Sequence, residues 1–336
     1  MNTETGTCAG GSRCEYLHAG VRRESEGAMD VQKDIALEKK LMLIVNPVAG
    51  RKQSLRLIPE IVRVFMDAGY FVTLMVTGAA RDATRFAERY GAGFDAIVCV
   101  GGDGTLSETI AGTVRCGADV PLGYIPAGST NVFAMSHGLS GDILTAAKNI
   151  AAEPVKRIDT GLFGDRCFAF IAAFGAFSWT SYTTPQSLKN VLGAPAYVLD
   201  GVISLPKIKP IHMKVTTADG VHEGDYLFGA VCNLFSFPGL MKMPAGKVHT
   251  DDGMFEVLLI REPGSLLDWQ AAINSVTSGK YDSDVIEFFQ ADELTIQSPD
   301  SVAWALDGEH EGRGSCETIR VVNNPRSIGL LAGKKG

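Results

Sequence analysis

No stretch of this chain carries a surplus of positive charge. Residues 1–40 hold 6 basic and 7 acidic side chains, residues 41–160 hold 11 of each, and residues 161–336 hold 14 and 20. A nucleic-acid binder takes most of its affinity from Lys and Arg set against phosphates, so no nucleic-acid partner is expected. Long apolar runs are missing too. The longest, CFAFIAAFGAF at residues 167–177, covers about half of what a membrane-crossing helix needs. The N-terminus has no apolar stretch of the signal-peptide kind. Seven cysteines form no C-x-x-C pair and six histidines no H-E-x-x-H, which argues for a reducing compartment without disulfides or zinc. The expectation is a cytoplasmic protein that meets membranes peripherally.

Several nucleotide and hydrolase signatures are absent as well. Neither G-x-x-x-x-G-K-[ST] nor G-x-G-x-x-G stands at the first strand, and G-x-S-x-G does not occur. A P-loop ATPase, a standard dinucleotide-binding dehydrogenase and an α/β-hydrolase are therefore unsupported.

What is present is apolar material for two cores: 336 residues, 46% hydrophobic and 21% charged. Residues 1–38 are polar, mixed in charge and aperiodic, and read as a mobile N-terminal extension. Over residues 39–155, the short runs LMLIVN, FVTLMVT, AIVCVG and PLGYIP alternate with segments of helical period, as in β-α-β units. In SLRLIPEIVRVFMDAG, for example, Ile58, Ile61, Phe65 and Ala68 recur at steps of three or four. The other helices are DATRFAERYGAG and TLSETIAGTVRCG. This half is expected to be an α/β, doubly wound nucleotide domain with its ligand at the carboxyl ends of the strands. Over residues 156–325, Gly-Asp and Asp-Gly signals separate alternating runs, which predicts an antiparallel β-sandwich facing the first domain across a cleft. Helical insertions are expected at 185–204 and 265–279, and the segment 326–336 is expected to return to the first domain.

Three loops follow predicted strands: NPVAGRK from Asn46, VGGDGTLSE around Asp103, and IPAGSTN ending at Asn131. A buried strand that ends in glycines and opens a helix can bring backbone N–H groups, and the helix dipole, against phosphate oxygens. Asp103 would then stand where a metal on those phosphates is held directly or through water. The alternatives remain open: a tight structural turn for the glycines, and a T-x-x-E capping box for Thr105 and Glu108.

In this order and over residues 41–325, NPVAG, GGDGTLSE, PAGSTN, DDGMFEV and LDGE resemble the diacylglycerol kinase catalytic family of soluble lipid kinases. SYTTPQSLKNVLGAPAY, residues 181–197, is similar to the bacterial soluble members and their lipid-kinase relatives. The resemblance implies ATP and Mg²⁺. It implies nucleotide contacts at Asn46, Pro47, Val48, Ala49 and Gly50, at Thr77, at Gly102, Asp103, Gly104, Thr105, Leu106, Ser107 and Glu108, and at Ser129. Glu309 of DGE would be the base that takes the proton of a lipid hydroxyl, with Asp103 and Mg²⁺ stabilising the transferred charge. A structural Mg²⁺ would be held by the His249 carbonyl, the Asp252 carboxylate and the Met254 carbonyl, an oxygen-only set that suits a hard cation.

Read from the residues alone, DGEHEG is equally a hairpin turn, and HTDDGMFEV a turn into a strand. Two positions depart from the family pattern: Val132 where many relatives have Asp, and Arg81 where they have Gly. Arg81 offers a phosphate contact of its own. The expected acceptor is a lipid at a membrane surface, diacylglycerol giving phosphatidic acid. Sphingoid bases, ceramide or NAD are the rival acceptors, and a nucleotide- or lipid-binding regulator without turnover is the rival class. A homodimer is left open. Phe237, Pro238 and Met241 are candidates for a lipid groove, against the plainer fate of core packing.

Overall fold

The computed structural model describes residues 37–50, 53–152, 154–175, 209–237, 241–244, 246, 248–299, 301–311 and 318–332. The first half runs β1 (Lys39–Val45), α1 (Gln53–Arg56), α2 (Ile58–Asp67), β2 (Tyr70–Val76), α3 (Asp82–Tyr90), β3 (Ala96–Gly101), α4 (Asp103–Cys116), β4 (Leu122–Pro126), α5 (Val132–His137) and α6 (Ile143–Ala152). The strands pair in parallel in the order β4-β3-β1-β2. All six residues of β3 are buried, as expected for a strand covered on both faces. The helical pattern over 54–69 is broken at Leu57. Pro59 sits in the first turn of α2, the one helical place where a missing N–H costs nothing, so a new helix starts there.

The second half runs β5 (Val155–Phe163), β6 (Arg166–Phe168), β7 (Ile171–Gly175), β8 (Ile211–Thr216), β9 (Val221–Cys232), β10 (Ser236–Phe237), β11 (Met241–Lys242), β12 (Phe255–Arg261), α7 (Leu266–Ser278), β13 (Ile286–Ala291), β14 (Glu293–Gln297), β15 (Trp304–Leu306), β16 (Glu309–Glu311) and β17 (Ile319–Leu331). Its strands pair antiparallel and close over a core in which Trp304 lies between Phe163 and Phe174, ring centroids 4.8 and 4.9 Å away. The apolar run from Phe168 to Phe174 is buried in the core. Helix α7 falls where a helix was expected. Ser265 caps it by accepting from Asp268 N at 3.2 Å, and Gly279 ends it at φ +76°. The helix expected at 185–204 lies outside the described residues.

Strand β17 joins the two sheets. Its first residues pair with β14 and β5, its ladder with β5 shifts register between Asn324 and Ile328, and Leu330 and Leu331 then pair in parallel with Leu122 and Gly123 of β4. The hairpin read from Asp-Gly is present: Asp307 and Gly308, at φ +50° and +89°, close a two-residue turn between β15 and β16. Glu309–Glu311 already belongs to a strand. Two consecutive left-handed residues match the right-handed twist of the flanking strands, so Asp-Gly is sufficient for the turn.

Candidate functional site

The carboxyl ends of β1, β3 and β4 deliver the three loops to one rim, and side chains and glycines lock them together. Asn46 donates from Nδ2 to Thr105 Oγ1 at 2.9 Å, while its own Oδ1 accepts from Val48 N at 3.1 Å. Gly50 takes φ +56° and lies so close to the third loop that a Cβ on it would stand 2.3 Å from the Ala127 carbonyl oxygen. Asn131 folds the third loop on itself: its Oδ1 accepts from Gly128 N at 2.9 Å and from Tyr124 OH at 3.1 Å. Ser129 is exposed at the tip of that loop. Thr77 adjoins the same rim, its N–H donating to Val45 O at 2.9 Å.

The capping box does not form. Gly102 is the N-cap residue of α4 and no side chain caps it, while Thr105 already lies within the helix and holds Asn46 instead. Glu108 reaches across to α3, accepting from Arg81 N at 2.8 Å and Ala83 N at 3.3 Å. Arg81 sits at φ +67° as the N-cap residue of α3, so Glu108 supplies the cap that Arg81 lacks. Leu106 is fully buried. The start of α4 therefore offers uncapped N–H groups and the positive end of a 14-residue helix, with Gly102 and Gly104 both partly accessible. That arrangement fits an anionic phosphate.

Asp103 is only 7% exposed. Its two oxygens accept from Val132 N at 2.9 Å and Phe133 N at 3.1 Å, so it caps α5. Burial raises its pKa, and the backbone donors oppose that. Direct metal ligation would compete with these bonds, whereas contact through water leaves them intact. Val132, standing where the family pattern has an acid, is fully buried in the apolar cluster that holds Tyr124 and Phe133.

The second half meets α4 through the Asp-Gly hairpin. Asp307, 3% exposed, accepts from Ser107 Oγ at 2.5 Å, Ala169 N at 2.6 Å, Phe170 N at 2.9 Å and Ile171 N at 3.1 Å. Two residues on, the Glu309 carboxylate is brought to the first turn of α4, where a Cβ on Gly104 would lie 3.3 Å from its Oε1. The Glu309 pKa is raised, first by loss of water and then by Glu108 and Asp307, with Arg166 and Arg81 opposing. Sequence reasoning misses Asp307 because Asp before Gly is accounted for by the turn alone. Nothing local marks a carboxylate that bonds to the backbone 136–138 residues earlier.

The 249–254 loop is pinned by Asp159, fully buried, whose oxygens accept from Gly253 N and Arg326 N, both at 2.7 Å. Asp252 Oδ1 accepts from Met254 N at 3.0 Å. Close by, Glu256 is fully buried with Oε2 unpartnered, and its carboxyl is lifted to about 8 by burial, with Asp252 and Asp159 adding to it. No group of three or more His, Cys, Asp or Glu side chains able to hold a metal occurs among the described residues. A set of two carbonyls and one carboxylate is not such a group, and the local excess of carboxylates suits a hard cation there. Of the groove candidates, Met241 is buried at 3% exposure, Phe237 is half-buried, and Pro238 lies outside the described residues. No helix among the described residues is long and apolar enough to cross a membrane.

Residues 40–163 match the diacylglycerol kinase catalytic domain, and residues 181–332 match the YegS C-terminal NAD kinase beta sandwich-like domain. A diacylglycerol kinase of Bacillus subtilis (strain 168) is 29% identical over 277 residues, covering 82% of this chain and 91% of that protein. One of Staphylococcus saprophyticus is 28% identical over 282 residues, with coverage of 82% and 91%. The fold is similar to the crystal structure of a diacylglycerol kinase from Bacillus anthracis str. Sterne. The TM-score is 0.69 at 22% identity, covering 88% of this chain and 97% of that one.

Proposed function

Because the chain belongs to the diacylglycerol kinase catalytic family and is a lipid kinase, we propose that it transfers the γ-phosphate of ATP to the free hydroxyl of diacylglycerol, giving phosphatidic acid. Residues 39–155 serve the nucleotide and residues 156–325 the lipid, which is met at a membrane surface. The observation that carries this reading is the approach of Glu309 to Gly104. It sets a proton acceptor from one half of the molecule against the phosphate-binding helix start of the other.

The uncapped first turn of α4 binds phosphate oxygens, and Gly102 and Gly104 let them approach. The loop of Asn46, Pro47, Val48, Ala49 and Gly50, together with Thr77 and Ser129, forms the walls of the nucleotide site. Asp103 would hold the catalytic Mg²⁺, which would supply neutralisation of charge on the transferred phosphoryl group, and His249, Asp252 and Met254 would hold a second, structural cation. Glu309 orients the lipid hydroxyl and takes its proton as the oxygen attacks. Its raised pKa makes it a stronger base than an ordinary carboxylate, provided the pH lies above that pKa.

The test is a labelled-ATP assay over diacylglycerol, a sphingoid base, ceramide and NAD, with wild type and Glu309→Gln. Label is expected in diacylglycerol, with a loss of about 10²- to 10⁴-fold in the variant. Label in NAD alone would end the lipid reading, and an unchanged rate in the variant would remove Glu309 as base.

A further inference from the structure

Two contacts join the first turns of α4 to the Asp-Gly hairpin, and their spacing matches. Gly104 and Ser107 are three residues apart on one face of the helix. Glu309 and Asp307 are two residues apart at the hairpin. Glu309 lies against Gly104 and Asp307 accepts from Ser107. Every lone-pair direction of the Asp307 carboxylate has a donor. Oδ2 takes Ser107 Oγ and Ala169 N, and Oδ1 takes Phe170 N and Ile171 N. Its own N–H donates to Ile171 O at 2.8 Å. Leu306 and Glu309 pair across the turn, and Leu306 pairs with Ala172 of β7, so the hairpin is tied to the same backbone that Asp307 grips.

The geometry points to Asp307 as a positioning residue, with Ser107 as its counterpart on α4: together they fix where the hairpin holds the Glu309 carboxylate over the start of α4. Asp307 touches no substrate in this role, and the Ser107 hydroxyl spends its single proton on Asp307 rather than on a phosphate. An Asp at this turn position does what Asn or Gly cannot. It tolerates the left-handed backbone and also brings a charge that four donors can share. The inference rests on the reading of Glu309 as proton acceptor.

The experiment compares wild type, Ser107→Ala and Ser107→Thr in the full chain. Ala favours the helix and Thr keeps the donor, so the fold is retained. Two readouts are taken: kcat and the KM for ATP with diacylglycerol, and backbone hydrogen–deuterium exchange at residues 169–171 and 309–311 without substrates. Ser107→Ala is expected to lower kcat by about 10- to 100-fold, the scale of a small misplacement of a reacting group. The KM for ATP stays constant, exchange at both segments quickens, and Ser107→Thr restores wild-type behaviour. A raised KM for ATP with kcat and exchange unchanged overturns the proposal and makes Ser107 a phosphate contact. If wild type labels no lipid, the kinase assignment of substrate fails on its own, and the exchange comparison still decides whether Ser107 holds the hairpin.

Discussion

Gly102 and Gly128 meet backbone to backbone: a Cβ on Gly128 would stand 2.6 Å from the Gly102 Cα and 2.8 Å from Asn131 Oδ1. Neither neighbour can withdraw, since Gly102 begins α4 and Asn131 is held by Tyr124. These glycines thus serve the closure of two loops on each other, which in turn aligns the N–H groups around them. Gly128→Ala is expected to cost about 1–3 kcal/mol, the usual range for overpacking, in a urea titration. ATP affinity by calorimetry is expected to fall with it. A variant that keeps both would show that the two loops need not touch.

Gly104 faces a different neighbour. Outside its own helix, a Cβ there meets, among the described residues, only Glu309 Oε1 within 4 Å, at 3.3 Å. Ala in place of Gly in an exposed helical turn normally stabilises by about 0.5–1 kcal/mol. Gly104→Ala is therefore expected to melt no lower than wild type while kcat falls, because the added methyl displaces the carboxylate. Loss of stability together with activity would indicate that Gly104 serves the fold instead.

Charges around Glu309 give opposite shifts. Its acidic neighbours are Glu108, from α4, and Asp307, from the hairpin itself, while Arg166 and Arg81 stand against them. A base works ionised, so kcat/KM rises as pH passes upward through the raised Glu309 pKa and is lost below it. Glu108→Gln removes a like charge, lowers that pKa and moves the acid limb to lower pH. Arg81→Gln removes an opposing charge, raises the pKa and moves the limb to higher pH. Profiles of kcat/KM against pH for the three proteins check the signs, and shifts of both variants in one direction would contradict the assignment.

The parallel sheet was legible because its strands are short apolar runs and its helices keep their period, as at Ile61 and Phe65, both fully buried. The rim loops were legible as glycine clusters after strands. What was not legible is which partner each polar group takes. Thr105 and Glu108 have capping-box spacing, yet Thr105 holds Asn46 and Glu108 caps α3, since the packing of α3 on α4 brings orphan N–H groups within reach of a longer side chain. Asp307 reads as a turn residue and is one, but its four donors come from α4 and from residues 169–171. Local spacing reports local partners, and this site is built from long-range ones.

Cation binding at the 249–254 loop can be separated from turnover. Asp159, Asp251, Asp252 and Glu256 gather there, and Asp252 and Asp251 both push the buried Asp159 carboxyl up, after burial itself. Repulsion among the ionised members falls when a cation binds, while Glu256, lifted to about 8, is mostly uncharged at neutral pH. Without nucleotide, Mg²⁺ is therefore expected to raise the melting temperature of wild type and a chelator to reverse it. A site filled at about 100 times its Kd adds about 2.7 kcal/mol, a shift of several degrees for a chain of this size. Asp252→Asn keeps the acceptor for Met254 N but loses the ligand charge, and its melting temperature is expected to be indifferent to Mg²⁺. An equal Mg²⁺ response in both proteins would move the cation elsewhere, whatever the activity of either.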